Sequence, residues 1–258
     1  MSDQLPVRID GSTAIVTITN PPANTWTLES LRALPGVLHK IAHNPQVRAL
    51  IITGEGPKFF SAGADLKTFA EGGKLAGASM AQAFGAAFEA LASCPLPTIA
   101  AINGYAMGGG LEAALACDMR IASDSAQMAL PEASVGLLPC AGGTQWLAHL
   151  VGEGWAKRLI LCGERIDAAT AERIGLVEEV VDAESVLPAA QRLAAKVSKQ
   201  SPDAVMASKR LIQAARAPAQ AALPAEREAF LALFDRPNQA EGVTAFLEKR
   251  QPRWSKGA

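Results

Sequence analysis

The chain has 258 residues, 49% hydrophobic and 19% charged, which is enough for a sizeable core and excludes wholesale disorder. Its 24 Lys and Arg against 25 Asp and Glu give a formal net charge of −1, which argues against a nucleic-acid or anionic-membrane binder. Four cysteines in mostly apolar surroundings, with no C-x-x-C pair, read as reduced and mostly buried thiols rather than a disulfide frame or a zinc site.

The N-terminal MSDQLPVRIDG has no basic segment followed by an apolar one, so no secretory signal is expected. No apolar run reaches the ~20 residues of a transmembrane helix, and the cytoplasm is the default location. Val7 and Ile9, then Ala14 to Ile18, predict a hairpin around Asp10-Gly11. Pro21 and Pro22 make residues 20–24 a loop. A helix capped by Thr27 or Ser30 follows, with Leu31, Leu34, Val37, Leu38 and Ile41 on one face. Pro35-Gly36 inside that pattern predicts a kink or a restart. His39 and His43 share a helix face, but without an acidic partner they read as solvated. Residues 48–53 predict a buried strand. A helix over 79–92, a strand over 98–102 and strands over 119–122 and 127–130 come next. Residues 130–147 read as loop, then helix. Residues 165–175 read as a short helical hairpin, and 178–181 as a strand. Beyond 187 the chain is Ala-rich and helical in period, punctuated by Pro202, Pro218, Pro224 and Pro237, which predicts three or four helices. The charged side chains at 164–173 and 226–236 read as solvated faces.

Chemistry concentrates in the middle of the chain. Two glycine turns each follow an apolar strand: Ser61-Ala62-Gly63-Ala64-Asp65 and Gly108-Gly109-Gly110. Each alone fits an ordinary turn. The G-x-G-x-x-G dinucleotide pattern is absent, as is a phosphate-binding P-loop. Two backbone N–H groups aimed from such turns at one point bind a thioester oxygen as it gains charge. Glu112 follows the triplet inside LEAALA. It reads either as a complement to the helix dipole or as an acid tuned by burial. Glu132 ends an apolar strand in Leu130-Pro131-Glu132, as a cap or as a second acid. Together the two turns and two glutamates fit addition of water across a conjugated double bond, with one carboxylate as general base and the other as general acid.

Five segments then carry a resemblance: NPPANTWT (20–27), FFSAGADL (59–66), INGYAMGGGLEAALACDMRIA (102–122), LPEASVGLLPCAGGTQWL (130–147) and EGVTAFLEKRQPRW (241–254). In order and spacing they resemble the crotonase (enoyl-CoA hydratase/isomerase) family over nearly the whole chain. The resemblance implies an α/β fold, the crotonase spiral of repeated ββα units, over residues 1–195. A C-terminal α-helical region over 196–258 is implied to serve oligomer contacts and the CoA pocket. It implies the N–H groups of Ala64 and Gly109 as oxyanion donors, Glu112 activating water and Glu132 delivering the α proton. Lys58 and Lys67 match positions near the CoA phosphates and adenine pocket. Phe246 and Lys249 match C-terminal residues that reach the CoA. Ala62, Asp65, Leu66, Gly108, Pro131 and Cys140 are implied to line the substrate.

No cofactor and no metal are implied, since coenzyme A is part of the substrate. A homotrimer or a homohexamer is implied, with no nucleic-acid or membrane partner. The activity implied is hydration of a 2-enoyl-CoA to a 3-hydroxyacyl-CoA. Isomerisation, decarboxylation or hydrolysis of an acyl-CoA on the same scaffold is the alternative. A non-catalytic RNA-binding member of the fold is the reading of a different class. The near-neutral charge and the intact glutamate pair count against it. Three features depart from the family pattern: Cys140 where Gly is usual, Trp146 where Arg is common, and Pro35-Gly36, which is expected to break the first helix.

Overall fold

Paired strands set the architecture of the computed structural model, which describes residues 4–214, 223–235 and 237–253. β1 (Val7–Asp10) and β2 (Thr13–Ile18) form an antiparallel hairpin that turns at Gly11, φ +57°. β3 (Ala49–Gly54), β5 (Thr98–Ile102), β7 (Met119–Ser123) and β10 (Glu179–Val181) then add in parallel, giving the order β1-β2-β3-β5-β7-β10. β4 (Phe59–Ser61), β6 (Tyr105–Met107), β8 (Gln127–Ala129) and β9 (Ile166–Asp167) build a second, smaller sheet. After β3, β5 and β7 the next strand crosses to the small sheet before a helix returns. The helices are α2 (Lys67–Ala92), α3 (Gly109–Ala116) and α4 (Gly143–Leu161). These are the repeated ββα turns of the expected spiral.

β3 and β5 are buried along their whole length, as parallel strands covered on both faces must be. Alternation divides their side chains. Leu50, Ile52, Ala100 and Ile102 face the main core, with α1 (Leu28–Ala42), α2 and α3. Ile51, Ile99 and Ala101 face α6 (Val186–Ser198), which lays Val186, Ala189, Ala190 and Ala194 across them. The residue 195/196 division falls inside α6.

Local departures have physical causes. Thr27 caps α1 in a reciprocal box with Ser30, so both expected caps take part. The expected break at Pro35 does not occur, and α1 runs through it. Burial of Leu31, Leu34, Val37, Leu38 and Ile41 outweighs the ~3 kcal/mol that an internal proline costs. The helix expected from 79 starts at Lys67 instead, with a break at Gly73 (φ +54°, ψ −150°). Residues 165–175 form β9 and then one short helix, α5 (Ala168–Arg173), rather than a helical hairpin. Asp167 caps that helix by accepting from the Thr170 N–H at 2.8 Å. The C-terminal helices are α7 (Pro202–Ala214), α8 (Leu223–Leu233) and α9 (Pro237–Leu247). Pro202, Pro224 and Pro237 all sit in first turns, where a missing N–H costs nothing. Pro218 lies outside the described residues. All four cysteines are free, and Cys162 alone is exposed. Among the described residues no helix is long and apolar enough to cross a membrane.

A buried ion pair fastens α7 to the sheet. Lys209 Nζ donates to Leu96 O at 2.8 Å and to Asp118 Oδ2 at 2.6 Å, and Asp118 also accepts from the Thr98 N–H at 2.8 Å. Lys209→Met is expected to lower stability by about 2 kcal/mol, because it leaves an interior carboxylate without its cation. Arg210→Met on the exposed side should change stability by less than about 0.5 kcal/mol. Thermal unfolding of the two variants side by side measures the difference.

Candidate active site

The two glycine turns are pressed against each other. Gly63 has φ +84°, and a Cβ there would stand 2.8 Å from Met107 O and 3.0 Å from the Gly109 nitrogen. Gly108, φ +53°, is the N-cap of α3 and donates its N–H to Ala129 O at 3.0 Å. Gly109 opens α3, so its N–H has no carbonyl one turn back to bind. The loop at 20–27 holds the first turn from behind: Trp26 N–H donates to Gly63 O at 2.8 Å, and Ala62 N–H to Ala23 O at 3.0 Å. Asn24 stands at φ +51° and ties that loop to β4 through Phe59 O at 2.8 Å.

A cavity of about 500 Å³ opens on this junction. Ala62, Ala64, Asp65, Leu66 and Lys67 line one side, and Gly108, Gly109, Pro131, Glu132 and Cys140 the other. Phe84, Leu137, Leu138 and Phe230 supply an apolar wall, and Phe246 of α9 stands at the edge, 58% exposed. Three expected positions are not in this lining: Glu112, which is buried in α3, and the lysines at 58 and 249. Lys58 is exposed, with its ammonium over the Phe59 ring at 5.4 Å. Lys249 lines an adjoining groove with Phe246, Leu247 and Arg250. Arg165 lines the cavity although its segment reads as a solvated face; its guanidinium lies 5.8 Å from the centre of the Tyr105 ring.

Glu112 is 2% exposed in the first turn of α3. Its Oε1 accepts from the Ala141 N–H at 2.8 Å and the Gly143 N–H at 2.9 Å. Burial holds its carboxyl well above the usual range, and the negative charges of Glu132 and Glu226 add to that. Glu132 opens a 3₁₀ turn (Glu132–Val135) next to Gly108. Its Oε1 would be 3.1 Å from a Cβ on Gly108. Its Oε2 is shielded from solvent and has no hydrogen-bond partner among the described residues. Burial raises this carboxyl too, and the charge of Glu226 raises it further. Although the residue as a whole is half-exposed, the shielded oxygen is the part that bears on chemistry.

Glu226 on α8 is 6% exposed. It accepts from the Gly142 N–H at 2.7 Å, the Thr144 N–H at 3.0 Å and the Thr144 hydroxyl. The sequence places it in a charged stretch that reads as solvated, and no local signal marks it, because its partners lie more than eighty residues earlier. Cys140 is buried in the cavity wall. Burial and the surrounding carboxylates push its thiol well up, so it packs as a neutral group. Trp146 lays its ring on Gly142, φ +98°, where a Cβ would be 2.6 Å from the ring. His39 and His43 are exposed and do not line the cavity; their ring centres are 4.1 Å apart.

The arrangement can polarise a carbonyl between two turns while paired carboxyls exchange protons beside it. A family model described as enoyl-CoA hydratase/isomerase matches residues 8–257. The short-chain-enoyl-CoA hydratase of Clostridium acetobutylicum is 39% identical over 244 residues, covering 94% of each chain. The crotonyl-CoA hydratase of Syntrophomonas wolfei is 38% identical over 244 residues, covering 92% of each. Among solved structures, DspI of Pseudomonas aeruginosa is 59% identical with a TM-score of 0.82, covering 98% of this chain and 97% of that one. Carnitinyl-CoA hydratase of Mycobacterium avium is 36% identical with a TM-score of 0.88, covering 98% and 99%.

Proposed function

The chain belongs to the enoyl-CoA hydratase/isomerase family, and from that premise we propose that it adds water across the 2,3 double bond of a 2-enoyl-CoA to give a 3-hydroxyacyl-CoA. The observation that carries this is the carboxyl pair beside the two glycine turns: Glu112 with one oxygen pinned, Glu132 with one buried oxygen unpartnered. The N–H groups of Ala64 and Gly109 receive the thioester oxygen as it becomes an enolate. Glu112 takes a proton from water while the water oxygen bonds to C3. The π electrons move toward the thioester oxygen, then return as C2 takes the proton held by Glu132. Burial pushes both carboxyls upward in one site, so the pair can hold a proton that neither would keep in water, one serving as acid while the other serves as base.

Coenzyme A enters as part of the substrate, and the reaction needs no further cofactor. Lys67 at the cavity edge suits its phosphates by charge, with Lys58 and Lys249 as outlying cations. Phe246 gives the cofactor end of the substrate an apolar contact. A homotrimer or homohexamer is the assembly proposed, supported by Leu211 and Ile212 of α7, 67% and 66% exposed. Four free cysteines support a cytoplasmic location.

Crotonyl-CoA and longer 2-enoyl-CoAs test the activity through loss of the enoyl-thioester absorbance. Turnover to the 3-hydroxyacyl product is expected. Tight acyl-CoA binding without hydration of any chain length would overturn the reading.

A further inference from the structure

We propose that Glu226 is a positioning residue for the hydration chemistry, holding the 141–144 turn so that Glu112 is presented to the substrate from a fixed direction. This deepens the hydratase reading and rests on it. Four successive amides in that turn are shared between two carboxylates. Those of Ala141 and Gly143 go to Glu112 at 2.8 and 2.9 Å, and those of Gly142 and Thr144 go to Glu226 at 2.7 and 3.0 Å. Alternate N–H groups thus point to opposite sides of one short segment, which cannot rotate without breaking bonds to both acids. The turn has no slack elsewhere: Gly142 is left-handed and lies under the Trp146 ring.

Glu226 reaches this place because α8 docks on α2. Gly77 leaves room for the Phe234 ring and Gly85 for Arg227, whose guanidinium pairs with Glu89. A Cβ at Gly77 would be 2.5 Å from that ring, and one at Gly85 2.7 Å from Arg227 Nη1. The C-terminal helix therefore contributes to the site in two ways. It supplies acceptors for two buried amides that would otherwise be orphaned, and it brings a third negative charge to the carboxyl pair. The titratable and charged groups around that carboxylate are Glu112 on α3, Glu132 on the 3₁₀ turn, Cys140 in the cavity wall and Arg227 on α8 itself.

The test compares Glu226→Gln, Glu226→Asp and Glu89→Gln with wild type. Glu226→Gln removes the charge and replaces one of the two accepting oxygens with an NH2 group that faces an amide donor. It should lower kcat on a 2-enoyl-CoA by about 10–100-fold with little change in KM. Its pH–rate profile should move to lower pH, because Glu112 and Glu132 lose a neighbour that raises them. Glu226→Asp keeps the charge but withdraws the acceptors, so kcat should fall while the profile stays. Glu89→Gln loosens the docking of α8 without removing the acid, so kcat should fall by less than in Glu226→Gln while the profile stays. Should Glu226→Gln unfold under assay conditions, the fall in kcat of Glu226→Asp decides. The protonated-carboxyl infrared band reads the same titration without turnover, so a wild type inactive on enoyl-CoA would sink the hydratase reading and leave this test standing. An unshifted infrared titration in folded Glu226→Gln, or a wild-type kcat in Glu226→Asp, would overturn the proposal.

Discussion

Glu112→Gln is expected to lower kcat for hydration of a 2-enoyl-CoA by about 10³-fold while the Kd for a saturated acyl-CoA stays as in wild type. Gln keeps an oxygen for the Ala141 and Gly143 amides, so the turn survives, but it takes no proton from water. Glu132→Gln should lose activity to a similar degree, because the α proton then has no donor. The double variant should be little worse than either single one, since the two carboxyls are proposed to act as a unit. Steady-state kinetics with calorimetric binding measures all three. A single variant that retains wild-type kcat would remove that glutamate from the mechanism.

The same substitution should raise stability, and its pH dependence has a definite sign. Burial and two neighbouring acids lift the folded carboxyl of Glu112 far above its unfolded value of about 4.3, so the fold favours the protonated form. Wild type loses stability as pH rises from that unfolded value through the folded one. Glu112→Gln has no such loss. Its melting temperature should match wild type near pH 4 and exceed it by a growing margin as pH rises toward neutrality. A gain in stability with a loss of rate separates a functional acid from a structural one, whose removal lowers both.

Much of this was legible in residue patterns. Continuous apolar runs at 48–53 and 98–102 became strands buried on both faces, and the two glycine turns that follow apolar strands became the walls of one junction. The glutamates at 112 and 132 came together beside it. What local pattern did not carry was anything whose cause lies far along the chain. Pro35 sits in a helix because five buried side chains hold it there. The first turns of α2 run through a glycine-rich segment with weak helical preference, so their start was invisible. Glu226 looks like any surface acid until α8 folds back onto the 141–144 turn, and Arg165 likewise until β9 pairs with β8.

Gly110→Ala should be the most damaging single methyl in the chain for the site. By helix propensity alone the change ought to stabilise α3 by up to about 1 kcal/mol. Here a Cβ would stand 2.1 Å from Ser61 O and 2.8 Å from Ser61 C, both backbone atoms of a fully buried residue. No side-chain rotation relieves that contact, so β4 and α3 must move apart. A loss of at least about 3 kcal/mol is expected, with activity lost in whatever folds. Gly154→Ala in α4 meets nothing within 4 Å and should gain up to about 1 kcal/mol by the ordinary rule. Denaturant unfolding of the pair should give changes of opposite sign. The contact bears directly on the site, since Ser61 leads into Ala64 and Gly110 follows Gly109. The close approach that forbids a methyl also sets the spacing of the two turns that carry the proposed N–H donors of Ala64 and Gly109. Equal stability of Gly110→Ala and wild type would separate the two turns, and with them the pair of donors.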